Sequence, residues 1–372
     1  MSAFEPTPLP RSLQILVLVV SLLSSVLSLL GSGCILYMAH RKLDQMLQRL
    51  LIGVSLSDIA MTMTVLIGSF LLPPDSGFAW TFGNFTTCTV MGVFFYIFLA
   101  TSVSYNVYLS FYYLAIVRYG WRENKPVSGS MVMPKWEVVL HALTVLIPLG
   151  LGIAAGSIKA MGPHPFLAGC FLARSPHGCE EGTELECFFT NQVAFTALFV
   201  ILMIYVTAGT FAAVLSTFMV YWTVRSKLSK TIRFNSVTST STNNDTTFHR
   251  RIQEVRRQSM LYSLTYLNSY VWMMISLMVT VFASSERMHA HRAAPGVYFL
   301  TLMVSVMFPL QGLLNFLVYT RQDVQRWRKA QPELYYFQIL RRVLAGQATG
   351  PPTSSVKATT PVQLQQEPQP SP

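Results

Sequence analysis

The sequence has few charged residues. Asp, Glu, Lys and Arg make up 12% of its 372 residues, whereas 52% are hydrophobic. Soluble globular domains are about 25% charged, so this composition excludes an ordinary soluble domain. The mean hydropathy of +0.43 is typical of a chain that lies mostly in an apolar environment.

Ionisable residues are scarcest inside the apolar runs, where each one is costly and therefore a functional candidate. Asp58 is the only acidic residue deep in a run, and Glu137 and His141 lie one helical turn apart near the start of another. A membrane zinc hydrolase needs a cluster of His and Asp ligands. A retinal pigment needs a lysine in its last span, and residues 295–320 contain none. The sequence therefore predicts no enzyme, metal site or cofactor.

Apolar runs long enough to cross a membrane occur seven times, since about 20 helical residues span a hydrocarbon core of about 30 Å. We expect an all-α membrane protein built as a seven-transmembrane helix bundle, with kinks at Pro148 and Pro309. No internal repeat of the kind found in many transporters is evident. The predicted spans are 13–39, 50–72, 88–117, 136–158, 191–224, 260–284 and 295–320.

The net charge of +11 is unevenly distributed between alternate connecting segments. Of the 27 Lys and Arg residues, 22 fall in the four segments 40–49, 118–135, 225–259 and 321–372. This positive-inside bias predicts an amino terminus outside the cell and a carboxyl tail inside. The basic charge is thereby explained by membrane topology, and no nucleic-acid partner is predicted.

Four of the five cysteines fall on the predicted outer face, where oxidation is favoured. Four cysteines allow three pairings, which sequence cannot separate. We expect Cys88 to bridge to Cys170 or Cys187, with Cys179 and the remaining cysteine closing a small ring. The sequon at Asn84 lies on the same face and predicts a glycoprotein.

Aromatic and polar residues within the spans supply candidates for function. Asp58 is predicted to be a buried polar node hydrogen-bonded to Asn315, and a proton or sodium site is the alternative. Aromatic residues of the outer half are candidates for a ligand pocket, although packing would use the same residue types. These are Phe95, Tyr96, Trp272 and Tyr298.

The segments flanking the bundle (13–320) differ in composition. Residues 1–12 form a short extracellular tail. Residues 321–345 combine basic and aromatic side chains, which predicts an interfacial helix on anionic membrane lipid, interrupted at Pro332. Residues 346–372 are rich in Pro, Gln, Ser and Thr and are predicted to be a disordered cytoplasmic tail.

Seven spans, an outside amino terminus and a cysteine opening the third span together resemble the G-protein-coupled receptors, over about residues 12–345. "SLSDIAM", which contains Asp58, and "WTFG" (80–83) before Cys88 resemble the rhodopsin-like receptors. The acidic–Arg–Tyr triplet of those receptors is absent, since the third span ends "SFYYLAIVRY" (110–119). The sixth span also lacks a Trp-x-Pro sequence.

A closer resemblance is to the cyclic-AMP-receptor-like group and related seven-helix proteins of algae and other protists. It is carried by "PLQGLLNFLVY" (309–319), with support from Tyr105-Asn106 and the tyrosine pair at 112–113. The resemblance implies architecture and receptor class without a ligand. Together with the buried Asp58, the predicted polar core and switch residues are Asn106, Pro309, Gln311 and Asn315.

These observations predict a multi-pass plasma-membrane receptor. It would transduce an unknown extracellular ligand to a heterotrimeric G protein. The alternative is a non-signalling seven-helix protein, such as a transporter or scramblase. The predicted G-protein face consists of Tyr112, Tyr113, Arg118, Arg225, Arg256 and Arg257.

Overall fold

Long helices make up most of the chain in the computed structural model, which describes residues 10–76, 78–119, 134–164, 169–173, 191–235, 243–282 and 295–346. Within these ranges a 3-10 turn at Pro74–Ser76 follows the second helix. Two short strands, β1 (Met161–Pro163) and β2 (Cys170–Leu172), form an antiparallel hairpin. The helices are α1 (Arg11–His40), α2 (Met46–Gly68), α3 (Phe85–Tyr119), α4 (Lys135–Ser157), α5 (Gln192–Asn235), α6 (Asn243–Phe282), α7 (Pro295–Met307), α8 (Gln311–Ala330) and α9 (Tyr336–Leu344).

Length and hydropathy identify most of the spans directly. Helices α1 to α4, and α5 as far as Ser226, are each long and apolar enough to cross a membrane, and α7 with α8 forms one bent span. By the same measure α6 does not qualify within the described residues, because serines, tyrosines and Asn268 interrupt its apolar run. Packing against α3, α5 and α7 nevertheless makes α6 part of the bundle. The architecture is the predicted seven-helix bundle.

Helix α1 shows how the bundle is arranged relative to its surroundings. Leu30 is 63% exposed, whereas Ser25, Ser28 and Ser32 on the same helix are at most 1% exposed. An apolar outer surface around a partly polar interior is unfavourable in water and favourable in lipid. We refer below to the end of the bundle that carries the hairpin as the disulfide end, and to the end that carries Arg49, Arg118 and Arg225 as the basic end.

The seventh span is broken at the predicted proline. Helix α7 ends at Met307 and α8 begins at Gln311, and the two helices meet at 48°. Pro309 lies in the turn between them, where its missing N–H removes a helical hydrogen bond. The kink expected at Pro309 is confirmed. Helix α4, in contrast, passes through Pro148 as one helix.

Small residues let α1 approach this break closely. A Cβ on Gly312 would lie 2.1 Å from Ser32 Oγ, and a Cβ on Gly31 would lie 2.7 Å from Leu313 Cα. The Gly312 N–H belongs to the first turn of α8 and has no acceptor within its own helix. It donates to Ser28 Oγ at 3.0 Å. Ser28 of α1 thus satisfies a backbone N–H that the break leaves without a helical partner.

The chain divides into two units, Met1–Tyr319 and Thr320–Pro372. The sequence predicted that the seventh span ends at residue 320. In the structure α8 continues through this position to Ala330. The expected interruption at Pro332 is confirmed, since α9 begins only at Tyr336. Within the second unit Arg342 lies 5.2 Å from the centre of the Trp327 ring.

Candidate functional site

A buried carboxylate lies at the middle of the bundle. Asp58 on α2 is 1% exposed. Ser102 Oγ donates to Asp58 Oδ1 at 2.9 Å, and Asn315 Nδ2 donates to Oδ2 at 3.0 Å. The predicted contact between Asp58 and Asn315 is confirmed. A buried carboxylate requires such partners, because an unpaired charge loses its hydration.

Two further amides complete what we call the polar centre (Asp58, Ser102, Asn106, Gln311 and Asn315). Gln311 Nε2 donates to Ser102 Oγ at 3.3 Å, and Asn106 Nδ2 donates to the Ser102 carbonyl at 2.8 Å. The polar centre therefore joins α2, α3 and α8. Sequence reasoning missed Ser102, although it lies one turn before Asn106 on the same helical face.

The polar centre contains hydrogen-bond acceptors that have no donor. Within the described part of the chain, Gln311 Oε1 and Asn315 Oδ1 have no hydrogen-bond partner. Buried polar atoms are usually paired, so these two amides retain capacity for a different set of bonds.

A chain of aromatic rings connects the disulfide end to the middle of the bundle. Phe171 of β2 meets Phe95 of α3 edge to face, with centroids 5.3 Å apart. Phe95 lies 5.6 Å from Phe308, and Phe308 lies 5.7 Å from Tyr270 of α6. Phe171 is fully buried. The hairpin thus inserts a side chain into the bundle next to the break in the seventh span.

The disulfide fixes this hairpin to α3. Cys88 pairs with Cys170, which is one of the two pairings that we expected, and their Cα atoms are 5.3 Å apart. Cys179 and Cys187 lie outside the described residues. Asn84 is exposed and caps α3, because its Oδ1 accepts the Thr87 N–H at 2.9 Å.

The four aromatic residues proposed for a ligand pocket have different surroundings. Phe95 and the fully buried Tyr96 both contact Phe171. Trp272 instead packs edge to face against a neighbouring phenylalanine, 5.9 Å away on α7, and Tyr298 is half-buried. A cavity beneath the hairpin is lined by Phe95 but by none of the other three.

At the basic end the structure separates the two tyrosines that sequence reasoning had grouped. Tyr113 is 2% exposed and stacks on Tyr262 of α6, with ring centroids 6.2 Å apart. It lies inside the bundle and not on the predicted surface, because α6 covers this side of α3. Tyr112 is half-buried and meets Tyr113 edge to face.

The four predicted arginines remain near the surface. Arg118, Arg225 and Arg257 are exposed. Arg256 is half-buried, and its guanidinium lies 5.8 Å from the centre of the Tyr221 ring on α5. These side chains place positive charge on α3, α5 and α6.

An ion pair that sequence reasoning missed joins α2 to α4 at the basic end. Arg49 Nε and Nη2 donate to the two Glu137 oxygens at 2.6 and 2.9 Å. Glu137 is fully buried and the Arg49 side chain is 10% exposed. His141 lies beside the pair, with Nε2 3.7 Å from Glu137 Oε1, and its Nδ1 is 3.1 Å from the Tyr105 hydroxyl. We call this group the Arg49 clamp (Arg49, Glu137, His141 and Tyr105).

Comparison with solved structures identifies the architecture. The crystal structure of squid rhodopsin aligns with a TM-score of 0.60 and 13% sequence identity, over 91% of this chain and 87% of the rhodopsin chain. At that identity the likeness shows the fold alone, which is the seven-helix membrane fold seen in squid rhodopsin. No family model matches the sequence, and no curated protein matches it significantly. The resemblance to the cyclic-AMP-receptor-like group stays a prediction.

Proposed function

We propose that the chain is a plasma-membrane receptor that passes the signal of an extracellular ligand to a heterotrimeric G protein. The observation that carries this proposal is the junction between the broken seventh span and the polar centre. Gln311 and Asn315 lie in the first turns of α8 after Pro309, and they bind Ser102 and Asp58 on two other helices. A change of bend at the break would therefore move hydrogen bonds in the middle of the bundle.

Two stable arrangements are what a receptor of this kind requires, because a ligand acts by binding one state better than the other. The spare acceptors of Gln311 and Asn315 allow a second set of hydrogen bonds. Pro309 supplies a point at which the helix direction can change. Proline and amide residues together thus give the seventh span the properties of a switch.

The stack of Tyr113 on Tyr262 is our candidate for the contact that holds the inactive state. It joins α3 to α6 at the basic end, where an arginine lock is absent. Tyr319 adds a link from the seventh span to α2, because its hydroxyl donates to Gln48 Oε1 at 2.9 Å. Separation of α3 from α6 would open the basic end to a partner.

The partner surface follows from the predicted orientation, which places the basic end in the cytoplasm. Arg118, Arg225 and Arg257 are exposed there, and Arg256 is half-buried beside them. Tyr112 lies at the edge of the same surface. Positive charge at this surface favours contact with acidic segments of a G protein.

Two further proposals concern lipid contact and glycosylation. The second unit has exposed aromatic side chains at Tyr335, Tyr336 and Phe337 and an exposed Arg341, which suits a helix lying on anionic lipid. Asn84 is exposed at the start of α3, on the predicted outer side of the bundle, where N-glycosylation takes place.

Nucleotide exchange on purified G proteins tests the receptor proposal. The protein is reconstituted in nanodiscs with a panel of heterotrimers, and basal GTP uptake is measured for the parent and for an R256A/R257A variant. We expect exchange with at least one heterotrimer and its loss in the variant. Arg11→Ala is the matched control, because Arg11 is also exposed but lies at the start of α1. Absence of exchange together with lipid or solute flux in liposomes would favour the transporter or scramblase alternative.

A further inference from the structure

Helix α6 carries an amide that does not belong to the polar centre. Asn268 lies halfway along its span, because its side chain contacts Met307, the last residue of α7 before the break. It is half-buried, whereas the amides of the polar centre, Asn106, Gln311 and Asn315, are at most 4% exposed. Asn268 therefore lies at the outer surface of the bundle, where lipid surrounds it.

The hydrogen bonds of this amide are incomplete in a single copy of the chain. Its Nδ2 donates to Met307 Sδ at 3.4 Å, and a thioether sulfur is a weak acceptor. The second N–H and the Oδ1 atom have no partner among the residues that the structure describes. Because the hydrocarbon core contains no water, an amide at its edge gains from a polar partner on another helix.

The residues around Asn268 repeat with the spacing of a coiled coil. Alternating steps of three and four residues bring the a and d positions of a heptad to one side of a helix. This side is turned towards lipid, since Leu264 is 62% and Val271 is 44% exposed. At 1.5 Å per residue it is about 26 Å long, which is most of the hydrocarbon core. We call these residues the α6 seam: Leu261, Leu264, Asn268, Val271, Ile275 and Met278.

We propose that the α6 seam is the interface through which two copies of this chain form a dimer in the membrane. Two copies inserted with the same topology have parallel α6 helices, and a two-fold axis places each seam position opposite itself. Asn268 then meets Asn268 of the second copy. An amide is its own complement, because the Nδ2 of each copy donates to the Oδ1 of the other. A single Asn at an a position also fixes the register of two paired helices.

Apolar exposure alone does not indicate a partner, because lipid covers an apolar surface equally well. Helix α4 is the contrast, since its Leu146 is 60% exposed and the helix contains neither Asn nor Gln. The amide within a heptad repeat is what distinguishes α6. The dimer does not rest on the proposed receptor function, because every group in the argument belongs to the lipid-facing side of one helix.

Cysteine cross-linking tests the α6 seam directly. Leu264→Cys is introduced into a chain that also carries Cys34→Ala, and Val271→Cys serves as a second reporter. Each protein in liposomes is oxidised with copper phenanthroline, and dimer formation is followed on non-reducing gels. The control is Leu146→Cys, which is equally exposed to lipid on α4. The Cys34→Ala chain without an added cysteine measures the background from the native cysteines.

We expect either seam cysteine to cross-link about tenfold or more faster than Leu146→Cys, because a disulfide forms only where two Cα atoms come within about 7 Å of each other. Equal rates at the seam and control positions would overturn the proposal, since random collision in the bilayer would then explain both.

The strength of the dimer tests the role of the amide. The protein carries a fluorophore on a carboxyl-terminal tag and is reconstituted at decreasing protein-to-lipid ratios, and single-molecule photobleaching gives the monomer fraction. Asn268→Leu should raise the dissociation constant about three- to twentyfold, the range expected for an interhelical hydrogen bond in a membrane. Met307→Leu is the matched control. It removes the acceptor within the same chain but leaves the Asn268 pair, so its dissociation constant should equal that of the parent.

Two results of this measurement would overturn the proposal. A parent protein that stays monomeric at every density would show that lipid alone covers the α6 seam. An unchanged dissociation constant in Asn268→Leu, or an equal rise in Met307→Leu, would show that Asn268 serves only its own chain. Neither experiment contains a G protein, so a failure of the dimer leaves the receptor proposal standing.

Discussion

Breaking the Arg49 clamp on one side should destabilise the bundle. Replacement of Glu137 by Leu leaves the guanidinium of Arg49 without its two carboxylate bonds, at a position where the acid is fully buried. Removal of one partner from a buried ion pair costs about 3–5 kcal/mol. Arg49 keeps its bond to the Leu43 carbonyl at 2.7 Å and is 10% exposed, so we expect the lower limit, about 3 kcal/mol.

Thermal unfolding in nanodiscs measures this effect. At roughly 2 °C per kcal/mol for a chain of this size, E137L should lower the melting temperature by about 6 °C. The double variant R49M/E137L removes both charges and should recover most of that loss, since an apolar pair of similar volume replaces a buried ion pair at little cost. Asp323→Asn is the control. It breaks an exposed 3.3 Å pair with Arg326, and such pairs contribute about 0–1 kcal/mol.

The melting temperatures of the single and double variants show whether the unpaired charge causes the loss of stability. If E137L has the same melting temperature as the Asp323→Asn control, the Arg49 clamp does not hold α2 to α4. If the double variant is no more stable than E137L, the loss comes from packing around Glu137 and not from the unpaired charge. Either result would refute the electrostatic account given above.

Three further predictions concern the contacts that fix the hairpin and the seventh span. Gly312→Ala should lower the melting temperature or prevent folding, because its Cβ would lie 2.1 Å from Ser32 Oγ; Gly33→Ala, where a Cβ meets nothing within 4 Å, should have no such effect. Phe171→Ala empties a fully buried site and should cost about 3–5 kcal/mol, and an unchanged unfolding curve would show that the ring does not fill the bundle. Cys88→Ser opens a loop with a sequence separation of 82 residues and should cost about 4–5 kcal/mol by loop entropy; dithiothreitol should then shift the melting temperature of the parent but not of the variant.

The third helix shows where sequence patterns stop being informative. Residues 99–106 are all buried, because α2, α4, α5 and α6 surround this part of α3. A helix covered on every side shows no apolar stripe, so its periodicity cannot say which residue meets which neighbour. Further along α3, Phe111 is exposed whereas Tyr113 is buried, and the stacking of Tyr113 on Tyr262 of α6 decides which face is covered.

The sixth helix shows the opposite case, in which pattern succeeded where average hydropathy did not. The run at 260–284 was recognised as a span although α6 falls short of the hydropathy threshold within the described residues. Its serines and tyrosines lie in the interior: Ser269, Tyr270 and Ser276 are fully buried. Polar residues in a membrane helix are tolerated when they face other helices.

The sequence by itself determined the features that depend on local order. The apolar runs set the number of spans, and Pro309 set the position of the break. The contact between Asp58 and Asn315 could be predicted because polar residues inside spans are rare and need partners. These features follow from backbone hydrogen bonding and from the cost of unpaired polar groups in lipid, which act on each segment separately.

Only the tertiary structure decided which distant residues meet. It selected Cys170 as the partner of Cys88, paired Arg49 with Glu137 across 88 positions, and inserted Phe171 from a hairpin into the core. Each contact depends on how the helices are rotated and stacked. That arrangement is set by close packing of many side chains at once, and no single segment of the sequence contains it.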